Sequence, residues 1–235
     1  MAERPIFVPA PDSPELVREL PMRLVWNTGF APIQKKKNIV ALHAAAAKAG
    51  YAPLLEVSTK SEEKVGQRLS AFSLKVHSGR SGKIPLEAAF QGSKVFERGG
   101  PYTDLYTVED VRDAKRDPRL KNSGPLEGFQ FESLRFPLEP KTVFYDWLYV
   151  GALYEHREWL RDHIFQYAGF TDIEFNPERS INCQARSCAL LVTLMKNKWL
   201  DEAVSSPEAF IRLLSSRDYR PESAHPLQQE AMFRR

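Results

Sequence analysis

The sequence predicts one mainly helical domain with a small β component, on the border of the α+β class. Three observations predict it. Apolar residues recur at helical spacing over long stretches, above all at Phe144, Trp147, Leu148, Ala152, Trp159, Leu160 and Ile164, which gives a helix one face to bury. Strand-like runs are short, near residues 4–8, 54–58 and 69–76. No internal repeat or shift in composition marks a second folding unit, and 235 residues suffice for a sizeable core.

In order, Arg4 to Val8 reads as a strand. Ser13-Pro14-Glu15 offers a cap, a proline for the first helical position and an early acid, which predicts a short helix to Leu20. Met22 to Trp26 reads as a second strand and Asn27-Thr28-Gly29 as a turn. Asn38 is placed to cap a helix that Gly50 stops, with Lys35, Lys36 and Lys37 just before it. Cations are disfavoured at a helix N-terminus. The three lysines therefore either sit solvated in a loop or hold an anion together with the helix end.

Residues 54–58 read as a strand, and Ser78 to Lys83 as a basic hairpin or loop facing solvent. Pro85 opens a helix that Gly99-Gly100-Pro101 stops, and Thr107 caps a short charged one. Residues 119–141 read as an ordered loop that packs through Phe129, Phe131 and Phe136. Thr142 caps the longest predicted helix, to about Ala168, followed by a short strand at Asp172 to Phe175. A buried helix covers Ala189 to about Trp199, and Ser206-Pro207-Glu208 starts the last one, to about Leu214. The expected organisation is an N-terminal extension over residues 1–53 carrying the basic segment 35–38, a catalytic unit over residues 54–214 and a loosely held tail over residues 215–235.

Composition excludes little. Hydrophobic content of 43%, charged content of 27% and a net charge of +3 suit a globular protein and permit a nucleic-acid partner without requiring one. The two cysteines, Cys183 and Cys188, are too close for a typical structural disulfide and have no metal-ligand spacing, so a reducing cytoplasm is expected. No apolar run reaches membrane-spanning length, and Met1 to Phe7 does not read as a signal peptide. Phosphate-binding, dinucleotide-binding, serine-hydrolase and zinc-protease motifs are absent, and no cofactor is implied.

One stretch carries chemistry. In E-A-A-F-Q-G-S-K-V-F, residues 87–96, Glu87, Phe90, Gln91 and Lys94 fall at i, i+3, i+4 and i+7 and share one helical face. A carboxylate, an amide and an ammonium around an aromatic ring fit neither a core face nor a plain solvent face. They fit a pocket wall.

The run I-P-L-E-A-A-F-Q-G-S-K-V-F, residues 84–96, resembles the signature of the NADAR (YbiA-like) family, W-P-(T/S)-x-E-x-x-x-Q-x-x-K-F. Pro85, Glu87, Gln91 and Lys94 keep its spacing, and an aromatic stands one position later at Phe96. Leu69-Ser70-Ala71-Phe72 resembles the S-N-F turn, and Asn182 with the apolar run to Met195 resembles the closing segment. Ile84 replaces the family Trp, Ala71 the family Asn, and Asn176-Pro177-Glu178-Arg179-Ser180 stands where the W-G-D-G stretch is expected. The whole is more similar to the branch paired with DNA-modifying ADP-ribosyltransferase toxins of the DarT type than to the riboflavin-pathway branch.

The resemblance implies a compact NADAR-like domain that removes ADP-ribose from guanine in DNA by cleaving an N-glycosidic bond, and so acts as an antitoxin. On that reading Glu87 is the general acid/base, and Lys94 either binds phosphate or forms a Schiff base with the opened ribose. Gln91 bonds ribose hydroxyls. Ser70, Phe72 and Phe90 border the pocket, with Phe72 or Phe90 placed to stack on a base. Lys35, Lys36 and Arg186 meet pyrophosphate or the DNA backbone, and Asn182 and Gln184 meet ribose or base edges. No metal is implied. Two alternatives remain open: an N-glycosidase for a ribosylamino-pyrimidine or other small metabolite, and a non-catalytic antitoxin that binds the toxin protein.

Overall fold

A computed structural model describes residues 1–29, 31–178 and 180–217. The expected tail lies outside the described residues from 218 onward. The chain folds as an α+β domain, as the sequence predicts.

It opens with β1 (Ala2–Ala10) and β2 (Leu16–Leu24), paired antiparallel along their whole length from Ala2 opposite Leu24 to Ala10 opposite Leu16. The helix expected before Leu20 is therefore part of a strand. Ser13-Pro14-Glu15 forms the hairpin turn, with Ser13 N bonded to Ala10 O and Leu16 N to Ser13 O. A partner strand for every backbone group outweighs one local capping signal.

α1 (Pro32–Lys48) begins seven residues earlier than expected, with Pro32 in its first turn. Asn38 is no cap. It is buried inside the helix, where its Oδ1 accepts from Asn27 N (2.8 Å) and Asn27 Nδ2 (3.0 Å) and so ties down the preceding loop. Ile39, Leu42 and Ala46 pack on Ile6, Val8, Met22 and Leu24 of the hairpin.

β3 (Leu54–Glu56) follows, then α2 (Lys64–Arg68) and the hairpin β4 (Lys75–Ser78) with β5 (Gly82–Pro85). α3 (Leu86–Gly92) is shorter than expected and gives way to β6 (Lys94–Phe96). A 3₁₀ turn over Thr103–Thr107 leads to α4 (Val111–Arg116) and α5 (Arg119–Asn122). Asp110, not Thr107, caps α4 by accepting from Arg112 N at 2.8 Å. The loop expected over residues 119–141 instead holds β7 (Leu126–Phe131) and β8 (Leu134–Phe136), which complete a sheet in the order β6-β7-β8. Its aromatics do pack inward, as the sequence suggests.

The longest predicted helix is two. α6 (Val143–Tyr154) and α7 (Arg157–Ile164) are separated by Glu155 and His156. β9 (Gly169–Thr171) is parallel to β3 and antiparallel to β1, giving a sheet ordered β2-β1-β9-β3. α8 (Gln184–Lys196) is buried from Gln184 to Leu194, on all sides, as befits a central helix. On one side Thr193 Oγ1 accepts from Ala10 N (3.0 Å) and donates to Leu16 O (2.7 Å) in the first hairpin. On the other, Ser187 Oγ donates to Asp146 Oδ1 of α6 at 2.5 Å. α9 (Leu200–Ser205) and α10 (Pro207–Ser215) close the described chain, and Ser206 caps α10 through Ala209 N as expected.

Phe144 is the hub of the aromatic core. Its ring lies 4.8 Å from Phe129, 4.9 Å from Phe136 and 6.0 Å from Phe90, centroid to centroid. Phe144→Ala is expected to destabilise the fold by about 3–5 kcal/mol, the usual cost of truncating a buried ring. Denaturant unfolding measures it; a loss below about 1 kcal/mol would mean the cluster repacks freely.

Candidate functional site

A cleft of about 680 Å³ opens between α3, the start of α6 and the segment from Asp172 to Gln184, a volume ordinary for a ligand site. Its chemical wall is α3. Pro85 precedes the helix, and Leu86, Ala88 and Ala89 anchor it in the core. At its end Gly92 permits close packing, since a Cβ there would stand 2.7 Å from Tyr106 Cε1 and 2.8 Å from Tyr102 O. Tyr106 Oη also bonds Ser93 Oγ at 2.8 Å.

Along this wall Gln91 Nε2 donates to Glu87 Oε1 (2.8 Å), and Lys94 Nζ donates to Gln91 Oε1 (2.7 Å). The three polar groups predicted to share a face therefore form one hydrogen-bonded row lining the cleft, although Lys94 itself lies in β6. The backbone at Ser93 keeps helical dihedrals, which carries Lys94 round one further step of the turn. Burial lowers the Lys94 ammonium to about 8, despite the opposing pull of Glu87 and with help from Lys115. Its Nζ also lies 5.1 Å from the Phe90 ring centroid.

Of the other predicted residues, Phe72 and Asn182 line the cleft. Phe72 is 43% exposed on the rim. Asn182 Oδ1 is buried with no hydrogen-bond partner among the described residues. Phe90 lines the cleft but is 6% exposed and packed against Phe129, Phe144 and Tyr145; its ring is wall rather than free stacking surface. Gln184 is committed within the protein. Its Oε1 accepts from Ala71 N (2.7 Å) and Ser70 Oγ (3.3 Å), and its Nε2 donates to Asp172 Oδ2 (2.9 Å). Ser70 is fully buried behind this bond.

The predicted cations are dispersed. Lys35, in the first turns of α1, pairs with Glu174, which lines the cleft. Lys36 pairs with Glu62 at 3.1 Å, and Arg186 is buried 3.9 Å from Glu19 Oε2 on the β2 side of α8. Neither Lys36 nor Arg186 lines the cleft.

Sequence reasoning missed the second carboxyl group. Asp172 lines the cleft, and burial, with Glu174 adding to it, pushes its carboxyl above the usual range. Behind it Glu56 is fully buried and accepts from Ser58 Oγ (2.6 Å), Thr171 Oγ1 (2.7 Å) and Ile173 N (2.9 Å). Burial and the nearby Asp172 raise the Glu56 carboxyl too. β3 and β9 are parallel, so both acids stand at the carboxyl ends of their strands, where open sheets commonly place site residues. The available signal was an acid one residue beyond the short run Gly169-Phe170-Thr171; placing the strand at residues 172–175 hid it.

Sequence reasoning also missed Lys115, at the end of α4, and Lys141, before α6. Both line the cleft, and neither makes an ion pair among the described residues. Tyr145 borders it as well, edge-on to Phe90 at 5.2 Å. The arrangement brings the Glu87 and Asp172 carboxyl groups, a lysine with a lowered proton affinity and two cations without an ion pair into one cleft, with Glu139 and Glu174 also along its lining. Such groups can move protons and add to an electrophilic carbon, and the cations can offset a polyanionic group.

Among curated proteins, no sequence matches the chain. A family description, the DarT1-associated NADAR antitoxin, matches residues 2–224, nearly the whole sequence, so the chain belongs to that antitoxin family.

Proposed function

We propose that this antitoxin is an N-glycosidase that removes ADP-ribose from ADP-ribosylated guanine in DNA, and so reverses the modification made by its partner toxin. The observation that carries the reading is the hydrogen-bonded row Glu87–Gln91–Lys94 in a cleft that also contains Asp172.

The bond to be cut joins ribose C1″ to the exocyclic nitrogen of guanine. Departure of that nitrogen requires a proton, and the ribose must be stabilised or opened. On the ring-opening route, a proton goes to O4″ as its bond to C1″ breaks, leaving an imine between C1″ and the guanine nitrogen. The Lys94 amine adds to C1″, the guanine amine leaves with a proton, and water hydrolyses the remaining imine to free ADP-ribose and Lys94. Glu87, beside Lys94 through Gln91, moves the protons at the ribose. Asp172, whose carboxyl holds its proton to higher pH than usual, supplies the acid. Lys115 and Lys141 offset the pyrophosphate charge. The lowered proton affinity of Lys94 supports this route over direct attack by water.

The test is release of ADP-ribose from an oligonucleotide carrying ADP-ribosyl-guanine, followed by chromatography. Release by the wild type is expected. No release there, with turnover of a ribosylamino-pyrimidine instead, would overturn the reading in favour of a metabolite glycosidase.

Gln184 is a positioning residue on this view, because it holds Asp172 and the 70–71 turn together. Gln184→Leu is expected to lower kcat by up to about 10²-fold, the scale of a small misplacement, and to raise the pH at which the acid limb of the profile falls, since the bond that helps keep Asp172 ionised is lost. An unchanged acid limb would show that Gln184 acts only on packing.

A further inference from the structure

A second concavity, of about 840 Å³, lies on the other side of α6 and takes no part in the chemistry above. One wall is the β4–β5 hairpin. Lys75, His77 and Lys83 project from its exposed face, with His77 directly opposite Lys83 across the two strands. Arg68, over the Trp159 ring at 5.7 Å, stands on the neighbouring edge. Arg68, Lys75 and Lys83 make no ion pair among the described residues, as Lys115 and Lys141 in the first cleft make none.

The floor carries an independent sign of a ligand. Gly151 lies inside α6, lines the groove and is exposed, and a Cβ added there meets nothing within 4 Å. Glycine is a poor helix former, and no packing inside this protein requires it at that position. An open floor suits a ligand that approaches the helix backbone closely.

The groove and the catalytic cleft share a rim. Leu69 and Leu74 line the groove, Ala71 and Phe72 line the cleft, and Phe72 is exposed between them. A DNA substrate does not end at the modified base. Its phosphodiester chain must leave the cleft over one of the rims, and the rim at Phe72 leads to unpaired cations beside the partly exposed rings of Trp147 and Trp159. Cations with aromatic faces are the chemistry that holds single-stranded nucleic acid without regard to sequence.

We propose that the Gly151 groove binds the single DNA strand flanking the modified guanine, crossing the rim at Phe72. This rests on the glycosidase reading for its choice of ligand, but it is tested separately. Two variants are compared with wild type: Lys75→Glu with Lys83→Glu, which reverses charge, and Gly151→Leu, which fills the floor and leaves charge untouched. The probe is an unmodified, fluorescently labelled single strand of about 20 nucleotides, read by anisotropy across a salt series. Both variants are expected to bind it at least about tenfold more weakly, and the charge-reversed one to show a shallower salt slope by about 0.7 per cation lost. Hydrolysis of ADP-ribosylated guanosine, the isolated nucleoside, should be unchanged in both.

Unchanged binding of the single strand in both variants overturns the proposal. So does loss of toxin capture in a pull-down with DNA binding intact, which would make the groove a protein interface. Weakened DNA binding in both variants, with a wild type that releases no ADP-ribose from any substrate, would leave the groove standing and remove the glycosidase reading alone.

Discussion

Glu87→Gln is expected to reduce ADP-ribose release from modified DNA by about 10²–10⁴-fold, the usual contribution of a positioned acid/base, while the protein stays folded. The change keeps the size of the side chain. Glu87 is 7% exposed, and its Oε1 accepts from Gln91 Nε2 at 2.8 Å; the substituted amide still presents an oxygen there. What it removes is the group that carries protons at the ribose, and the negative charge that raises the proton affinity of Lys94. The variant therefore makes two separable predictions. Turnover collapses, and Lys94 titrates below the value of about 8 that it holds in the wild type. Thermal unfolding close to wild type, with release lost, is the expected pair of results. Wild-type-like release would sink the catalytic role of Glu87. Protection of cells from the toxin that survives the substitution would favour neutralisation by binding instead.

The part of the site that follows helical arithmetic was legible in the sequence. Glu87, Gln91 and Lys94 are local, their spacing is fixed by about two turns of backbone, and the helical dihedrals at Ser93 preserve that spacing even where the helix has ended. The part assembled from distant segments was not. Asp172 depends on where β9 stops, and that boundary is set by pairing with β3, more than a hundred residues earlier. Lys115 and Lys141 reach the cleft only because the β6-β7-β8 sheet folds the chain between them back on itself. The first hairpin shows the same effect in the fold. A cap-like Ser13-Pro14-Glu15 reads as a helix start until a strand is available to pair with Leu16 to Leu24. Local signals lost wherever a long-range partner competed for the same backbone.

Lys94 gives the second large effect, and its pH dependence separates two roles. With a proton affinity lowered by burial to about 8, the free amine is the minor form at neutral pH and the major form above. If the amine attacks C1″ while Asp172 gives the proton, kcat/KM rises about tenfold per pH unit at low pH, levels once Asp172 begins to ionise, and falls above 8, because between the two points the gain in free amine and the loss of protonated acid cancel. If Lys94 serves only as an ammonium beside phosphate, kcat/KM instead falls from the point where Asp172 ionises, and affinity falls further as the pH passes 8. Lys94→Arg sharpens the contrast, since a guanidinium keeps the charge and cannot form the imine. Loss of turnover by on the order of 10³-fold in that variant, within the range a positioned reacting group supplies, together with a borohydride-reducible adduct on the wild-type peptide that contains Lys94, is the result the ring-opening route requires. Retained turnover in Lys94→Arg with no adduct would transfer the chemistry to water activated by Glu87 or Asp172, and would leave Lys94 a charge that holds the substrate in the cleft.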